Sequence, residues 1–126
     1  MSDEIKVTAS LQIDNTNFSM PKIGGTQLTF DQTNEGGMVP GTVKVGSGAE
    51  EDISMTELTT PGWLWMKNLD ASNYVQWGGK TTAGAMTTIG RMEAGEPALF
   101  RLDPSATLRM QANTAECKVL ILVAED

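Results

Sequence analysis

Three short stretches of this chain carry residue types that do chemistry in other proteins: "GGKTT" at 78–82, the acidic run Glu50-Glu51-Asp52, and the lone Cys117. In "GGKTT", Gly79, Lys80 and Thr81 match the last three positions of a phosphate-binding loop. That loop also needs a glycine five residues before Gly79, where backbone must approach phosphate, and Tyr74 stands there inside an expected strand. The match fails. The acidic run invites a calcium reading, yet calcium loops place oxygen ligands at alternate positions with a distant bidentate acid. Three adjacent acids do not, and a solvated loop is the expected state. With no histidine in the chain, there is no Ser-His-Asp or Cys-His nucleophile system and no imidazole metal site.

A glycosidase needs only two carboxylates. No acid here sits in an apolar sequence environment that would raise its pKa as a general acid requires. We expect no enzymatic activity, no catalytic residue, no cofactor and no metal. "NFS" at 17–19 fits a glycosylation sequon, which carries no meaning without a secretory signal. "MSDEIKVTAS" has neither a basic nor an apolar signal region, and no stretch approaches the roughly 20 apolar residues of a membrane span. One cysteine excludes an intrachain disulfide. Cys117 shares a strand face with Val119, Ile121 and Val123, which predicts a buried, unreactive thiol in a reducing compartment.

The elements that would position these groups are β-strands. Thirteen glycines and abundant Thr and Ser favour turns and strands. No window holds a sustained 3.6-residue apolar period. The net charge of −7 fits a phosphate backbone poorly, so no nucleic-acid partner is expected. Charge is lopsided: residues 1–60 hold nine acids against Lys6, Lys22 and Lys44, whereas 61–126 hold seven acids against six bases. The acidic half serves solubility or meets a basic partner.

Residues 5–13, "IKVTASLQI", alternate as one half-buried strand with Ile5, Val7, Ala9, Leu11 and Ile13 on one face. "DNTNFSMPKIGG" (14–25) and "NEGGMVPG" (34–41) read as loops. "QLTF" (27–30) is a short strand with Leu28 and Phe30 inward. "TVKV" (42–45) and "DISM" (52–55) are short strands, and 86–92 is a weak edge strand. "ALFRL" and "TLRMQA" read as a hairpin across "DPSA", where Pro104 suits the second position of a type I turn. "CKVLILVA" (117–124) is apolar on both faces, hence central or at a subunit contact. About nine or ten such strands at this spacing indicate a sandwich, jelly roll or barrel.

All three tryptophans and the only tyrosine lie in "TTPGWLWMKNLDASNYVQWGG" (59–79). Strand 63–69 puts Trp63, Trp65, Lys67 and Leu69 on one face and Leu64, Met66 and Asn68 on the other. A tight turn at "DAS" then predicts a core hairpin in which Trp65 faces Trp77. Opposed aromatics contribute about 0.2–1 kcal/mol across strands. The competing readings are an exposed sugar-binding tryptophan face and an oligomer interface.

"TPGWLWMKNLDASNYVQWG", "MEAGEPALFRL" and "ATLRMQANTAECKVLILVAED" together resemble small structural proteins of tailed-bacteriophage virions, such as capsid decoration (cement) proteins and head-fibre bases. The resemblance covers about residues 53–126. It agrees with what length and strand pattern already lead us to expect: one domain over 1–126, an all-β antiparallel β-sandwich, jelly-roll-like and with almost no helix. It further implies a homotrimer on the virion surface, assembled in the host cytoplasm, whose partners are the major capsid protein and itself, with no membrane. Residues 14–50 would supply a loop-rich capsid-contact arm. Met20, Ile23, Phe30, Met38 and Val39 there, with Trp63 behind Pro61–Gly62, are the candidate partner or oligomer contacts. A glycan- or receptor-binding module of a fibre or tail is the alternative.

Overall fold

The computed structural model describes residues 4–14, 16, 19–32 and 37–125, with backbone alone at 19–20 and 38–40. Among these residues there is no helix, and the chain is an all-β protein of antiparallel sheets. It divides into two compact units, Met1–Asn34 and Glu35–Asp126.

The first unit holds two two-stranded ribbons. β1 (Ile5–Val7) pairs with β4 (Leu28–Phe30), and β2 (Ser10–Asp14) pairs with β3 (Ser19–Gly24). The alternating stretch 5–13 is therefore two strands in two ribbons, not one. The break falls at Thr8-Ala9, where the Ala9 carbonyl accepts a hydrogen bond from Gly25 N (2.7 Å). Gly24, at φ +87°, passes so close to that carbonyl that any Cβ would collide with it. Leu28 is exposed rather than inward, while Phe30 is half-buried. Residues 19–24 form a strand where a loop is expected from sequence.

The second unit holds two four-stranded sheets. One contains β5 (Gly37–Val45), β7 (Pro61–Asn68), β10 (Pro97–Arg101) and β12 (Cys117–Glu125), in the order β10-β7-β12-β5. The other contains β6 (Glu51–Asp52), β8 (Val75–Lys80), β9 (Met86–Met92) and β11 (Leu108–Ala112), in the order β6-β11-β8-β9. The two pack face to face as a sandwich. From the first sheet Val45, Leu64, Met66, Val119, Ile121 and Val123 point inward, and from the second Val75, Met92, Leu108, Met110 and Ala112 meet them. Each buried large aliphatic side chain contributes about 1.5–3 kcal/mol. β12 is central, as its two-sided apolar run predicts, and Cys117 is buried on its inner face. Burial, and secondarily the charge of Asp70, pushes the thiol above its ordinary pKa.

Of the connections from β5 to β12, only β8–β9 stays within one sheet; the others cross from sheet to sheet. This overturns both hairpins read from sequence. β7 and β8 do not pair: Trp65 lies opposite Leu99 and Leu122, and Trp77 lies opposite Met110 and Gly90. "ALFRL" (β10) and "TLRMQA" (β11) likewise lie in different sheets. The turn chemistry itself is as expected, since Ala106 N bonds Asp103 O at 3.0 Å around Pro104. What differs is what the turn joins. β7 pairs with β10 and β8 with β11, so the short connections arch over the ends of the sandwich.

Asn68 holds the first of these arches. Its side chain is fully buried at the end of β7. Nδ2 donates to the carbonyls of Asn73 (2.8 Å), Met92 (3.2 Å) and Glu93 (3.2 Å), and Oδ1 accepts from Asp70 N (3.0 Å). Its backbone carbonyl accepts from Gly95 N (3.1 Å) and its N–H donates to Glu96 O (3.0 Å). Asp70 completes the turn by accepting from Ser72 N and Asn73 N, which hold its carboxyl below the usual pKa. A leucine at 68 would match the volume but leave these buried carbonyls and an N–H without partners, at about 1–3 kcal/mol for each group that water cannot reach. Asn68→Leu is expected to lower the urea-unfolding free energy by about 2–4 kcal/mol; an unchanged midpoint would show that the arch does not depend on this side chain.

Candidate functional site

The two outer faces of the sandwich differ in chemistry. On the β6-β11-β8-β9 sheet, Arg109 projects outward from β11, opposite Asp52 on β6 and Gly78 on β8. Its Nη1 donates to Glu50 Oε2 (3.1 Å) and to the Gly84 carbonyl, and its Nη2 donates to Glu50 O (3.1 Å). Nε makes an ion pair with Asp52 Oδ1 at 2.7 Å. Lys80 Nζ closes the network on Asp52 Oδ2 at 2.9 Å. Glu50 also accepts from Met86 N (2.7 Å), and Glu51 accepts from Gly46 N (3.3 Å).

Glu51 and Asp52 are exposed, as expected of a solvated run, but they form a short strand and not a loop. Each acid is also engaged, because the 46–52 segment runs beside β11, where Ala112 N and Gln111 Nε2 bond Gly46 O and Ser47 O. Lys80, from the failed phosphate-loop match, is the counter-ion of Asp52. The hydrogen bond from Lys80 is the largest cause of the low Asp52 pKa, with Arg109 adding to it. Asp103 is held low too, by the Ser105 hydroxyl and amide. These shifts run opposite to what a general acid needs. Among the described residues no group of three or more acidic or thiol side chains is placed to hold a metal. On the same sheet, Arg91 lies 4.4 Å from the Tyr74 ring centroid and pairs with Glu93 at 2.8 Å.

The outer face of the β10-β7-β12-β5 sheet is apolar at its centre. Because Leu64, Met66 and Asn68 point inward, Trp63, Trp65 and Lys67 point out. Register places Leu99, Trp65 and Leu122 in one row across three strands. Leu99 is 38% and Leu122 47% exposed, and Leu120 is half-buried beside Lys67. Lys44 and Lys118 stand opposite each other on β5 and β12. Lys44, Lys67 and Lys118 form no ion pair among the described residues.

A groove of about 340 Å³ opens at the side of the sandwich, lined by Trp77, Ile89, Phe100, Leu102 and Leu108. Trp77 and Phe100, from opposite sheets, stack with centroids 4.9 Å apart and planes 4° from parallel. A Cβ at Gly90 would stand 2.6 Å from the Trp77 indole, so glycine there leaves room for the ring. Trp77 points inward because it shares the face of buried Val75 two residues before it and lies opposite buried Met110. Trp77 is therefore a partly buried aromatic that bridges the sheets, with one face stacked on Phe100.

The contact residues expected from sequence divide between the two units. Ile23 is 58% exposed on β3 and Phe30 half-buried on β4, both in the first unit. Trp63 is half-buried on β7, opposite Arg101. The side chains of Met20, Met38 and Val39, and the sequon residue Asn17, lie outside the described residues. Sequence reasoning missed Leu99 and Leu122, whose alternation marks them as one face of their strands but not which neighbour completes the row. It also missed Glu125, 8% exposed, which accepts from Thr59 N (2.6 Å) and Thr60 N (3.2 Å) and ties the last strand to the entry of β7.

No protein-family model, curated protein or solved structure matches the chain.

Arg109, whose side chain is only 14% exposed, is expected to be the costliest single charge to remove. Arg109→Met should lower stability by about 1–3 kcal/mol at neutral pH. Asp52 has a folded-state pKa below 3.8, so its pairing stabilises above that value and is lost as pH falls through the folded one. Urea titrations should therefore show the gap between wild type and Arg109→Met narrowing below about pH 4. A gap independent of pH would contradict the network.

Proposed function

We propose that the chain is a non-enzymatic structural protein of a tailed-bacteriophage virion, a capsid decoration or cement protein that binds the outer head surface as a homo-oligomer and stabilises it. The observation that carries this reading is the contrast between the two sheet faces. One is ionic and internally compensated; the other presents an apolar row beside lysines that form no ion pair among the described residues. A module with one compensated side and one side suited to contact, with its own copies or with a partner, fits an assembled structural role rather than turnover.

The strand order adds support. Counted from β5, the sheets run first-eighth-third-sixth and second-seventh-fourth-fifth, and we read this as a jelly-roll wrap, an architecture recurrent in viral shells. The resemblance of residues 53–126 to phage virion proteins points the same way. The downward carboxyl shifts and the absence of histidine favour a role without catalysis.

The half-buried Trp63 and Trp65 on an outer face favour a second reading, a glycan- or receptor-binding module of a head fibre or tail. Heads of the parent phage assembled without this chain decide between them. Adding purified protein is expected to produce co-sedimentation with those heads and to raise the temperature at which they release DNA. Binding to host polysaccharide with no binding to heads would contradict the proposal and favour the second reading.

A further inference from the structure

We infer that the outer face of the β10-β7-β12-β5 sheet seats the N-terminal unit of a second copy of this chain. This contact supplies the surfaces for the self-association in the proposed function, and it rests on that reading in no other respect, since the shell takes no part in it.

The N-terminal unit carries three large aliphatic side chains on its exterior. Leu11 is 60%, Ile23 58% and Leu28 55% exposed. Two two-stranded ribbons within 34 residues bury too little to be stable by themselves. Such a unit requires a partner surface with matching apolar area. The row Leu99-Trp65-Leu122 supplies one, and its two leucines are left exposed in the single chain.

Charge selects the same pairing. Residues 1–34 hold Asp3, Glu4, Asp14 and Asp31 against Lys6 and Lys22, so the unit is acidic. The sheet face carries Lys44, Lys67 and Lys118 without ion pairs among the described residues. Opposite signs around two apolar centres favour contact between them. Two copies of the lysine face set against each other would place like charges together, which disfavours an isologous dimer through this sheet. The contact is then heterologous, with the arm of one copy on the face of the next, and closes into a ring when the rotation allows.

The test uses the full-length chain and two exposed substitutions, Leu11→Glu on the arm and Leu122→Glu on the face. Sedimentation velocity of the wild type should give an oligomer. Each variant should associate about 30-fold or more weakly and run as a monomer, with wild-type circular dichroism. Mixing the two should restore a one-to-one complex, because the Leu122→Glu chain keeps an intact arm and the Leu11→Glu chain an intact face. Ile23→Glu replaces Leu11→Glu if the latter alters the spectrum.

A monomeric wild type, an oligomer indifferent to the arm substitution, or variants that stay monomeric on mixing would each overturn the inference. The second would indicate an isologous contact through the sheet face, and arm docking within one chain would appear as the first. A monomer that still binds heads would overturn this inference and leave the shell reading standing. An oligomer that ignores heads would do the reverse.

Discussion

The side chain of Asn68 is the constraint on which the rest of the sandwich depends. It sits where β7 leaves one sheet for the other, with no exposed surface, and its amide is bonded to carbonyls from both the β7–β8 arch and the β9–β10 turn. A buried carboxamide is tolerated only when its donors and acceptor are satisfied. The geometry that satisfies Asn68 brings Asn73, Met92 and Glu93 to one point. That point joins the exits of β7 and β9 to the entry of β8, so the crossing between sheets is specified by hydrogen bonds as well as by apolar packing.

The direction of every neighbouring side chain follows from it. With Asn68 inward, the period of two along β7 sends Met66 and Leu64 into the core and Lys67, Trp65 and Trp63 outward. The outward set meets Leu99 on one side and Leu122 on the other, which creates the apolar row. Across the core, the same period of two puts Trp77 on the inner face with Val75, where it stacks on Phe100 and joins the edge strand β10 to the opposite sheet. The two tryptophan environments, one bridging the sheets and one on an outer face, are thus consequences of a single register.

Much of this is legible in the sequence, and the failures have a common cause. Alternation along 63–68 and 117–123 groups the residues that share a face correctly, although Trp65, expected in the core, lies on the outer face. The Gly- and Thr-rich 86–92 is an edge strand as read. Turn residues at 70–72 and 103–106 are also correct as turns. Yet Asx and proline turns serve a hairpin and an inter-sheet arch equally well, and the choice between them is made by distant strands that pair with each side. The same long-range effect makes a strand of the Gly- and Pro-bearing 37–41, because β12 supplies its hydrogen bonds. It also recruits Glu50 and Asp52, which local sequence leaves in solvent, to Arg109 on a strand far along the chain. Trp63 does lie on an outer face, whereas its apolar neighbours Leu99 and Leu122 become visible only once the strand order is known.

Cryo-EM of the parent virion tests the central claim, a shell-bound oligomer built on the apolar sheet face, most directly. The predicted result is density for this chain on the head lattice, with the Trp65 row of each sandwich covered by the N-terminal unit of a neighbouring copy. Density confined to the tail or neck, or a Trp65 row left open to solvent on the head, would contradict it.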